Sequence, residues 1–343
     1  MEINLTSDTV TKPSFDMLQA MMNAEVGDDV FNQDLTVIAL QKMMADLFGM
    51  EAALFFPSGT MANQAAIKLH TQPGEQLICD HYSHVYLYES GGAAFHSGVT
   101  CATIIGDRGM ITAEQVLEKI NDPEAFYEPK TALVCIENTT NKGGGACYDI
   151  NELHRIKQVC ATNGLKLHLD GARLWNALVA KKQHPKMFGE IFDTISVCFS
   201  KGLGAPIGSM LLGDAATIKR AVRIRKLMGG GMRQVGYLAA AAIYAIQNNV
   251  SRLEQDHFRA KELGHYLSQL NWVACVQPIE TNIVIFSVTP SVNYLQVIAI
   301  LKQNGIHISA LGKNKLRMVT HLDYTQEMHI SVLEKLVLLD FNV

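Results

Sequence analysis

Two short apolar segments, each ending in a reactive side chain followed by glycine, constrain the fold of this chain most strongly. The first runs over residues 167–173 and carries Asp170, and the second runs over 195–204 and carries Lys201. Each pattern is typical of a buried strand that leads into a loop. In a parallel α/β sheet, ligands bind outside the carboxyl ends of the strands. The two segments therefore predict that a carboxylate and an amine face the same crevice.

The rest of the chain supports a sheet of this kind, because short apolar runs alternate with helical patterns. Strands are predicted at 52–56, 76–79, 102–105, 132–136, 165–169, 194–199 and 209–212. Helices are predicted at 15–23, 35–48, 61–70, 113–120 and 150–162. This alternation predicts an α/β fold with a mainly parallel central sheet and helices on both faces.

The pattern changes after a long helical stretch at 234–248. It continues with predicted helices at 252–270, 292–304 and 325–338 and predicted strands at 283–288 and 316–319. We expect three parts. They are an N-terminal arm (1–14) that packs with the small domain, a large ligand-binding domain (15–248) and a smaller C-terminal α/β domain (249–343).

Composition excludes several classes of protein. The formal net charge is −4 and no block of Lys or Arg stands out, which argues against a nucleic-acid partner. The seven cysteines are scattered and form no CxxC pair, as expected for buried thiols in a reducing compartment. The start of the chain has no apolar signal region, and no apolar run is long enough to span a membrane. We therefore expect a cytoplasmic protein without a membrane partner.

An amine and a carboxylate in one crevice are what pyridoxal 5′-phosphate (PLP) requires. A lysine forms a Schiff base with its aldehyde, and a carboxylate keeps its ring nitrogen protonated. The alternatives are that Lys201 is an exposed loop lysine and that Asp170 is a turn or N-cap residue before Gly171. The matching positions of the two residues favour the cofactor.

The turn Ser58-Gly59-Thr60 follows one predicted strand and opens a predicted helix. Free backbone N–H groups and the helix dipole at such a turn favour a phosphate, although an ordinary N-cap would give the same pattern.

His84 is the candidate to stack on the cofactor ring and to exchange protons near neutral pH. His81 is a competing neighbour, and a purely structural histidine is the alternative. No HxxxH or cysteine-rich set accompanies them, so no metal site is predicted.

Four basic residues are candidates for binding anions. The guanidinium group of Arg173 suits a substrate carboxylate or a ring oxygen of the cofactor. Arg317 lies amid apolar residues of a predicted strand, as expected of a residue that faces a cleft, unless it marks an edge strand. Arg233 ends the glycine-rich stretch 229–231, and together with Lys226 it is placed to reach a phosphate. A flexible interdomain loop with solvated charges is the alternative for that stretch.

As a set, these motifs resemble the PLP-dependent threonine aldolases of the aspartate-aminotransferase fold type (fold type I), which share ancestry with the β-eliminating lyases. The matching segments cover residues 7–13, 25–30, 57–64, 137–139, 168–173, 200–206 and 229–234, and 316–321 near the C-terminus.

The resemblance implies a role for each candidate residue. Lys201 would be the Schiff-base lysine, Asp170 the partner of the pyridine nitrogen, and His84 the residue stacked on the ring. The phosphate would be held by Ser58, Gly59 and Thr60, with Arg233 from a neighbouring subunit. The carboxylate of the amino acid would be gripped by Ser7, Arg173 and Arg317. The family is usually homotetrameric, a dimer of dimers with active sites at subunit interfaces.

Two segments depart from the family pattern. Tyr127 stands where the family often has a histidine that contacts the β-side chain of the substrate, so Tyr127 is a candidate for substrate binding. Residues 31–34 read Phe-Asn-Gln-Asp instead of the usual Tyr-Gly-Glu-Asp, which removes a phenol near the expected site.

The implied reaction is retro-aldol cleavage of L-threonine or L-allo-threonine to glycine and acetaldehyde. His84, directly or through water, is the candidate base for the β-hydroxyl group. β-Elimination or racemisation with the same cofactor is the first alternative, and a non-catalytic cofactor-binding module is the second. A nicotinamide dehydrogenase is disfavoured because no GxGxxG follows the first strand.

Overall fold

The computed structural model describes residues 1–312 and 314–339. The α-helices are α1 (Phe15–Met22), α2 (Leu35–Phe48), α3 (Gly59–His70), α4 (His84–Leu87), α5 (Ala113–Lys119), α6 (Ile150–Thr162), α7 (Leu174–Lys181), α8 (Pro185–Ile191), α9 (Ala215–Leu227), α10 (Gly236–Asn249), α11 (Leu253–Leu267), α12 (Tyr294–Gln303) and α13 (Gln326–Leu338). The strands are β1 (Ile3–Asn4), β2 (Ala52–Phe56), β3 (Gln76–Asp80), β4 (Thr100–Ile104), β5 (Thr131–Glu137), β6 (Lys166–Gly171), β7 (Thr194–Cys198), β8 (Ser209–Gly213), β9 (Val273–Val276), β10 (Ile283–Val288), β11 (Ile306–His307), β12 (Ser309–Ala310) and β13 (Lys315–Val319).

The central sheet contains seven strands of the described chain, in the order β2-β8-β7-β6-β5-β3-β4. Neighbours from β7 to β4 pair in parallel, whereas β8 runs antiparallel to both β7 and β2. The predicted α/β fold with a mainly parallel sheet is confirmed.

Both faces of this sheet are buried. Along β5, Val134 and Ile136 join an apolar cluster that includes residues of α2 and α6. Leu133 and Cys135, which alternate with them, join a second cluster that includes Ile67 of α3. Since successive side chains of a strand point to opposite faces, β5 lies between two layers of helices.

The strand register brings the reactive strand ends together. Glu137 at the end of β5 is beside Asp170 in β6, and Asp170 is beside Ser196 in β7. Lys201 follows in the loop after β7. The carboxyl ends of β5, β6 and β7 therefore form one edge at which a site can be built.

A smaller layer lies towards the C-terminus. It contains the antiparallel sheet β12-β13-β10-β9, and β1 pairs in parallel with β11 beside it. Its apolar cluster includes the fully buried side chains of Trp272, Phe286 and Tyr324. The domain boundaries at residues 14 and 248 stay a prediction. In the described ranges, no helix is both long and apolar enough to cross a membrane.

Several elements lie outside those predicted, namely helices α4, α7, α8 and α9 and strands β1, β9, β11 and β12. Helix α4 has four residues, and β1, β11 and β12 have two each. Segments this short cannot display the spacing of apolar residues from which an element is predicted.

Candidate active site

A cavity of about 220 Å³ lies at the carboxyl ends of β6 and β7. Six residues predicted to contact the cofactor line it, namely Ser58, Gly59, Thr60, His84, Asp170 and Lys201. The other three predicted contacts, Arg173, Lys226 and Arg233, do not line this cavity. A neighbouring cleft of about 400 Å³ is lined by the predicted carboxylate-binding residues Ser7, Arg173 and Arg317. Because His84, Ala172 and Lys201 line both spaces, the two form one site.

Asp170 supplies a buried carboxylate to this site. Its Oδ2 accepts a hydrogen bond from Asn63 Nδ2 (3.0 Å) and its Oδ1 accepts one from the backbone N–H of Ala172 (3.1 Å). Helix α7 starts at Leu174 with Arg173 as its N-cap residue. Asp170 is therefore not a helix cap. Its bond from Ala172 does close a turn, as the alternative predicted, and Asp170 also lines the cavity.

Lys201 is only partly exposed, and its amine faces the interior of the site. Its Nζ lies 3.4 Å from Cys198 Sγ, and Ser209 Oγ approaches the same sulfur at 3.2 Å. The alternative of an exposed loop lysine does not describe this environment.

The N-terminus of α3 forms one wall of the cavity. Ser58 caps the helix, because its Oγ accepts from the backbone N–H of Met61 (3.2 Å). The same turn lines the cavity, so the N-cap and anion-binding interpretations hold together. Gly59 packs closely against β7, since a Cβ atom built on it would lie 2.7 Å from Cys198 Sγ. The first N–H groups of a helix are available to a ligand anion here.

His84 rather than His81 belongs to the site. His84 Nδ1 lies 2.9 Å from Oε1 of the buried Glu89, whereas His81 contacts the rings of Tyr82 and Tyr86. Burial opposes the charge on His84, but the hydrogen bond to Glu89 and the nearby carboxylates outweigh it, so the pKa of His84 is raised. His84 therefore retains its proton to a higher pH than a free histidine.

His84, Glu89 and Asp170 place ligand-type atoms within 4.8 Å of one another, a grouping that could in principle hold a metal ion. The amide nitrogen of Asn63 donates to Glu89 at 2.9 Å and to Asp170 at 3.0 Å. These N–H donors bind the two carboxylates at the point where a cation would otherwise bridge them. Hydrogen bonding therefore accounts for the cluster.

Arg173 is buried and paired with Asp8 of the N-terminal arm. Its Nε donates to Asp8 Oδ2 (2.7 Å) and its Nη2 to Oδ1 (2.6 Å). Burial would raise the pKa of Asp8, but the charge and hydrogen bonds of Arg173 hold that pKa at about 2. Since Asp8 occupies one edge of the guanidinium group, Arg173 presents mainly Nη1 to the cleft, 3.5 Å from Asn141 Oδ1.

Arg317 reaches the same point from the smaller sheet. Its Nη1 donates to Asn141 Oδ1 (3.1 Å) and its Nη2 to the backbone carbonyl of Thr6 (2.9 Å). β13 lies between β12 and β10, so the edge-strand alternative for Arg317 is wrong. Asn141 Oδ1 is thus the meeting point of the two arginines.

Glu137 is a further buried carboxyl group in the cleft. Its oxygens accept the backbone N–H groups of His84 and Asn141, both at 2.7 Å. Burial and the charge of Asp170 raise the pKa of Glu137 to about 7. Glu137 connects the segment that carries His84 to the loop that carries Asn141.

The geometry agrees with the sequence relationships of the chain. The family model for beta-eliminating lyases matches residues 4–290. The low-specificity L-threonine aldolase of Escherichia coli (strain K12) is 41% identical over 326 residues, which is 95% of this chain and 95% of that protein. Low-specificity L-threonine aldolase 1 of Arabidopsis thaliana is 38% identical over 330 residues, or 94% and 92% of the two chains.

The chain belongs to the low-specificity L-threonine aldolase family.

Solved structures share the fold of this family member. A threonine aldolase of Leishmania major superimposes with a TM-score of 0.85 at 21% identity, over 98% of this chain and 99% of that one. A serine palmitoyltransferase of Sphingomonas wittichii gives 0.74 at 15% identity, over 97% and 86%. The predicted membership of fold type I is confirmed.

Three residues predicted for the family site lie away from it in the single chain. Arg233 pairs with Asp28 and lies 5.5 Å from the ring of the exposed Phe31, while Lys226 lines a separate groove beside α9. Tyr127 is 77% exposed, because the segment between α5 and β5 carries it to the surface. One chain therefore does not bring these residues to the cavity. The contact of Arg233 with a phosphate across a subunit interface, the phosphate contact of Lys226 and the substrate contact of Tyr127 stay predictions.

Four residues at the site have no role in the sequence analysis: Asn63, Glu89, Glu137 and Asn141. Asn63 and Glu137 stand in the segments that resemble the family, which is the signal that would have drawn attention to them. Glu89 and Asn141 carry no such signal, since their importance comes from hydrogen bonds formed only in the fold.

Proposed function

We propose that this chain is a PLP-dependent threonine aldolase that cleaves L-threonine or L-allo-threonine to glycine and acetaldehyde. One observation carries the proposal: an amine, a buried carboxylate and a helix N-terminus line one cavity, and a two-arginine cleft adjoins it. The family relationship supports the same conclusion.

PLP fits the donor set of the cavity. Its phosphate would be held at Ser58, Gly59 and Thr60, its ring nitrogen by Asp170 and its aldehyde carbon by Lys201. The turn at residues 58–60 lines the cavity at the N-terminus of α3, and Asn63 donates to the Asp170 carboxylate. When bound, PLP accepts the electron pair that is released as the Cα–Cβ bond of the substrate breaks.

Arg173 and Arg317 bind the carboxylate of the amino acid. Both guanidinium groups already donate to one oxygen atom, Asn141 Oδ1. A substrate carboxylate would place a negatively charged oxygen where the neutral Asn141 oxygen now accepts. Arginine forms stronger hydrogen bonds to a carboxylate than to an amide. Ser7 lines the same cleft and supplies a neutral hydroxyl group. Fixing the carboxylate sets the orientation of the Cα–Cβ bond.

His84 is the group placed to take the proton of the β-hydroxyl. It lines both the cavity that would hold the cofactor and the cleft that would hold the carboxylate. With Nδ1 bonded to Glu89, Nε2 remains to accept the proton directly or through a water molecule. Acetaldehyde then leaves, and a proton returned to Cα completes glycine.

The direct test is to mix the purified PLP-loaded protein with L-threonine and, separately, with L-allo-threonine. We expect glycine and acetaldehyde in equal amounts. Pyruvate and ammonia would indicate β-elimination instead, and the D-amino acid would indicate racemisation.

Lys201→Ala is the matched variant for this assay. We expect it to lose both cleavage and the visible absorbance of the lysine–PLP bond, because no other residue in our proposal supplies the amine. Wild-type absorbance in Lys201→Ala would remove Lys201 from its role.

Two further expectations belong to the same proposal. We propose that the protein acts as a homotetramer, a dimer of dimers, in which Arg233 reaches the phosphate of a neighbouring subunit; its half-exposed side chain supports this. We also propose a cytoplasmic location, supported by seven cysteines that are all free thiols.

A further inference from the structure

The environment of Glu89 gives it a defined task at the site. Its side chain is 0% exposed. Three nitrogen atoms lie against its two oxygens: His84 Nδ1 (2.9 Å) and Asn63 Nδ2 (2.9 Å) at Oε1, and Gln64 Nε2 (2.6 Å) at Oε2. The two amide N–H donors, one on each oxygen, hold the buried carboxylate in one orientation.

The orientation of the Asn63 amide is fixed by its surroundings. Its nitrogen lies between two carboxylates, Glu89 and Asp170, which can only accept hydrogen bonds when ionised. Its oxygen accepts from Ser196 Oγ (2.6 Å) and lies 3.1 Å from His168 Nε2. The two carboxylates on one side and the Ser196 hydroxyl on the other agree with this orientation, so Asn63 Nδ2 bonds to both carboxylates.

This arrangement determines which nitrogen of His84 carries the proton. A carboxylate only accepts hydrogen bonds, so the Nδ1 of His84 donates to Glu89. In the neutral imidazole the lone pair then lies on Nε2, the nitrogen left for the cavity.

We propose that Glu89, held by Asn63 and Gln64, is a positioning residue that fixes the Nδ1–H form of His84 and makes its Nε2 a stronger base. The effect of Glu89 on the tautomer and pKa of His84 does not depend on which reaction the protein catalyses. Its catalytic consequence rests on the proposed aldolase function. A negative charge beside Nδ1 stabilises the protonated imidazole, which agrees with the raised pKa of His84.

The chain offers a substitution that removes only the charge. In Glu89→Gln, the amide oxygen can keep the bonds from His84 and Asn63, and the new NH₂ group would face Gln64. Gln64 can turn its amide to accept that bond, since its Oε1 has no hydrogen-bond partner among residues 1–312 and 314–339. We therefore expect Glu89→Gln to fold and to retain all three hydrogen bonds.

The experiment is NMR of histidine labelled with ¹³C and ¹⁵N in the full-length, PLP-loaded protein, with His84 assigned from the signal missing in His84→Asn. We expect Nδ1–H above the pKa of His84, and we expect Glu89→Gln to lower that pKa by about one unit or more. The acidic limb of the pH profile of kcat/KM for threonine should move down by the same amount.

Glu262→Gln is the matched control, because Glu262 pairs with another histidine, His329 (3.0 Å), outside the site. It should lower the pKa of His329 and leave that of His84 unchanged.

An unchanged His84 pKa in Glu89→Gln, or a proton on Nε2 in the unsubstituted protein, would overturn the role of Glu89 even if threonine is cleaved. A shifted pKa in a protein that cleaves neither amino acid would instead overturn the proposed function.

Discussion

At the scale of single residues, the two arginines of the cleft differ in whether a carboxylate of the protein neutralises their charge. Arg173 is neutralised by Asp8, whereas Arg317, within residues 1–312 and 314–339, bonds only to uncharged oxygens of Asn141 and Thr6. Burial and the charge of Arg173 lower the pKa of Arg317. This is the direction expected of a cation that lacks its own anion, and the substrate carboxylate would supply one.

We therefore predict that Arg317→Lys raises KM for threonine more than it lowers kcat. A lysine cannot bond to Asn141 and Thr6 while also meeting a carboxylate, and a lost bond to a charged group is worth about 1.5–3 kcal/mol, roughly a 10- to 100-fold loss in kcat/KM. Steady-state kinetics measure this effect. Arg155→Lys, in an exposed ion pair with Glu114, is the control and should leave the kinetics unchanged. Equal KM values in the two variants would contradict the assignment.

At the scale of elements, the N-terminus of α3 is positioned by the contact of Gly59 with Cys198. A Cβ at Gly59 would lie 2.7 Å from Cys198 Sγ and 3.5 Å from Ser209 Oγ, and both of those side chains are buried. Neither atom can move far, because the sulfur also contacts Lys201. The distance between the helix end and the lysine is therefore sensitive to one methyl group.

We predict that Gly59→Ala weakens PLP binding. Overpacking of this kind costs about 1–3 kcal/mol, which corresponds to roughly a 5- to 150-fold higher dissociation constant. Titration of the apoprotein with PLP, followed by absorbance, measures the constant. In Gly59→Ala/Cys198→Ala the obstructing sulfur is absent, so affinity should return to that of Cys198→Ala alone. A double variant as weak as Gly59→Ala would show that the clash is not the cause.

The sequence predicts the framework of the fold better than the details of the site. The strands that carry Asp170 and precede Lys201 are visible as apolar runs, because a strand covered on both faces needs apolar residues throughout. Helix α7 escapes prediction for a related reason. Its buried residues are consecutive, Leu174–Leu178, so no polar face marks the helical period.

Some residues of the candidate site can likewise be predicted from the sequence and others cannot. Lys201, Asp170 and the turn at Ser58 follow from chemistry at strand ends, so they can be identified from sequence. Glu89 and Asn141 act through partners far away in the chain, such as Asn63 and Arg317. Such pairings depend on the tertiary fold, so they cannot be predicted from a single sequence.

At the scale of the whole molecule, the N-terminal arm joins the large sheet to the small one at the active site. β1 pairs with β11, and the carbonyl group of Leu5 accepts from the backbone N–H of Val319 in β13 (2.9 Å). Asp8 then pairs with Arg173 after β6 and accepts from Asn282 Nδ2 before β10 (3.2 Å). One buried carboxylate thus contacts both layers and the arginine that we propose binds the substrate.

We predict that Asp8→Asn destabilises the protein by about 3–5 kcal/mol near neutral pH, because Arg173 would remain buried without its anion. Urea unfolding of both proteins measures the difference in the free energy of unfolding.

The lowered pKa of Asp8, about 2, contributes stability that is present above its unfolded value of 3.8 and lost as pH falls through 2. The difference between the two proteins should therefore persist at pH 4 and shrink below it. Asp46→Asn removes an exposed partner of Lys42 and should cost less than about 1 kcal/mol at any pH. If Asp8→Asn is no less stable than Asp46→Asn, the arm does not couple the two layers through this carboxylate.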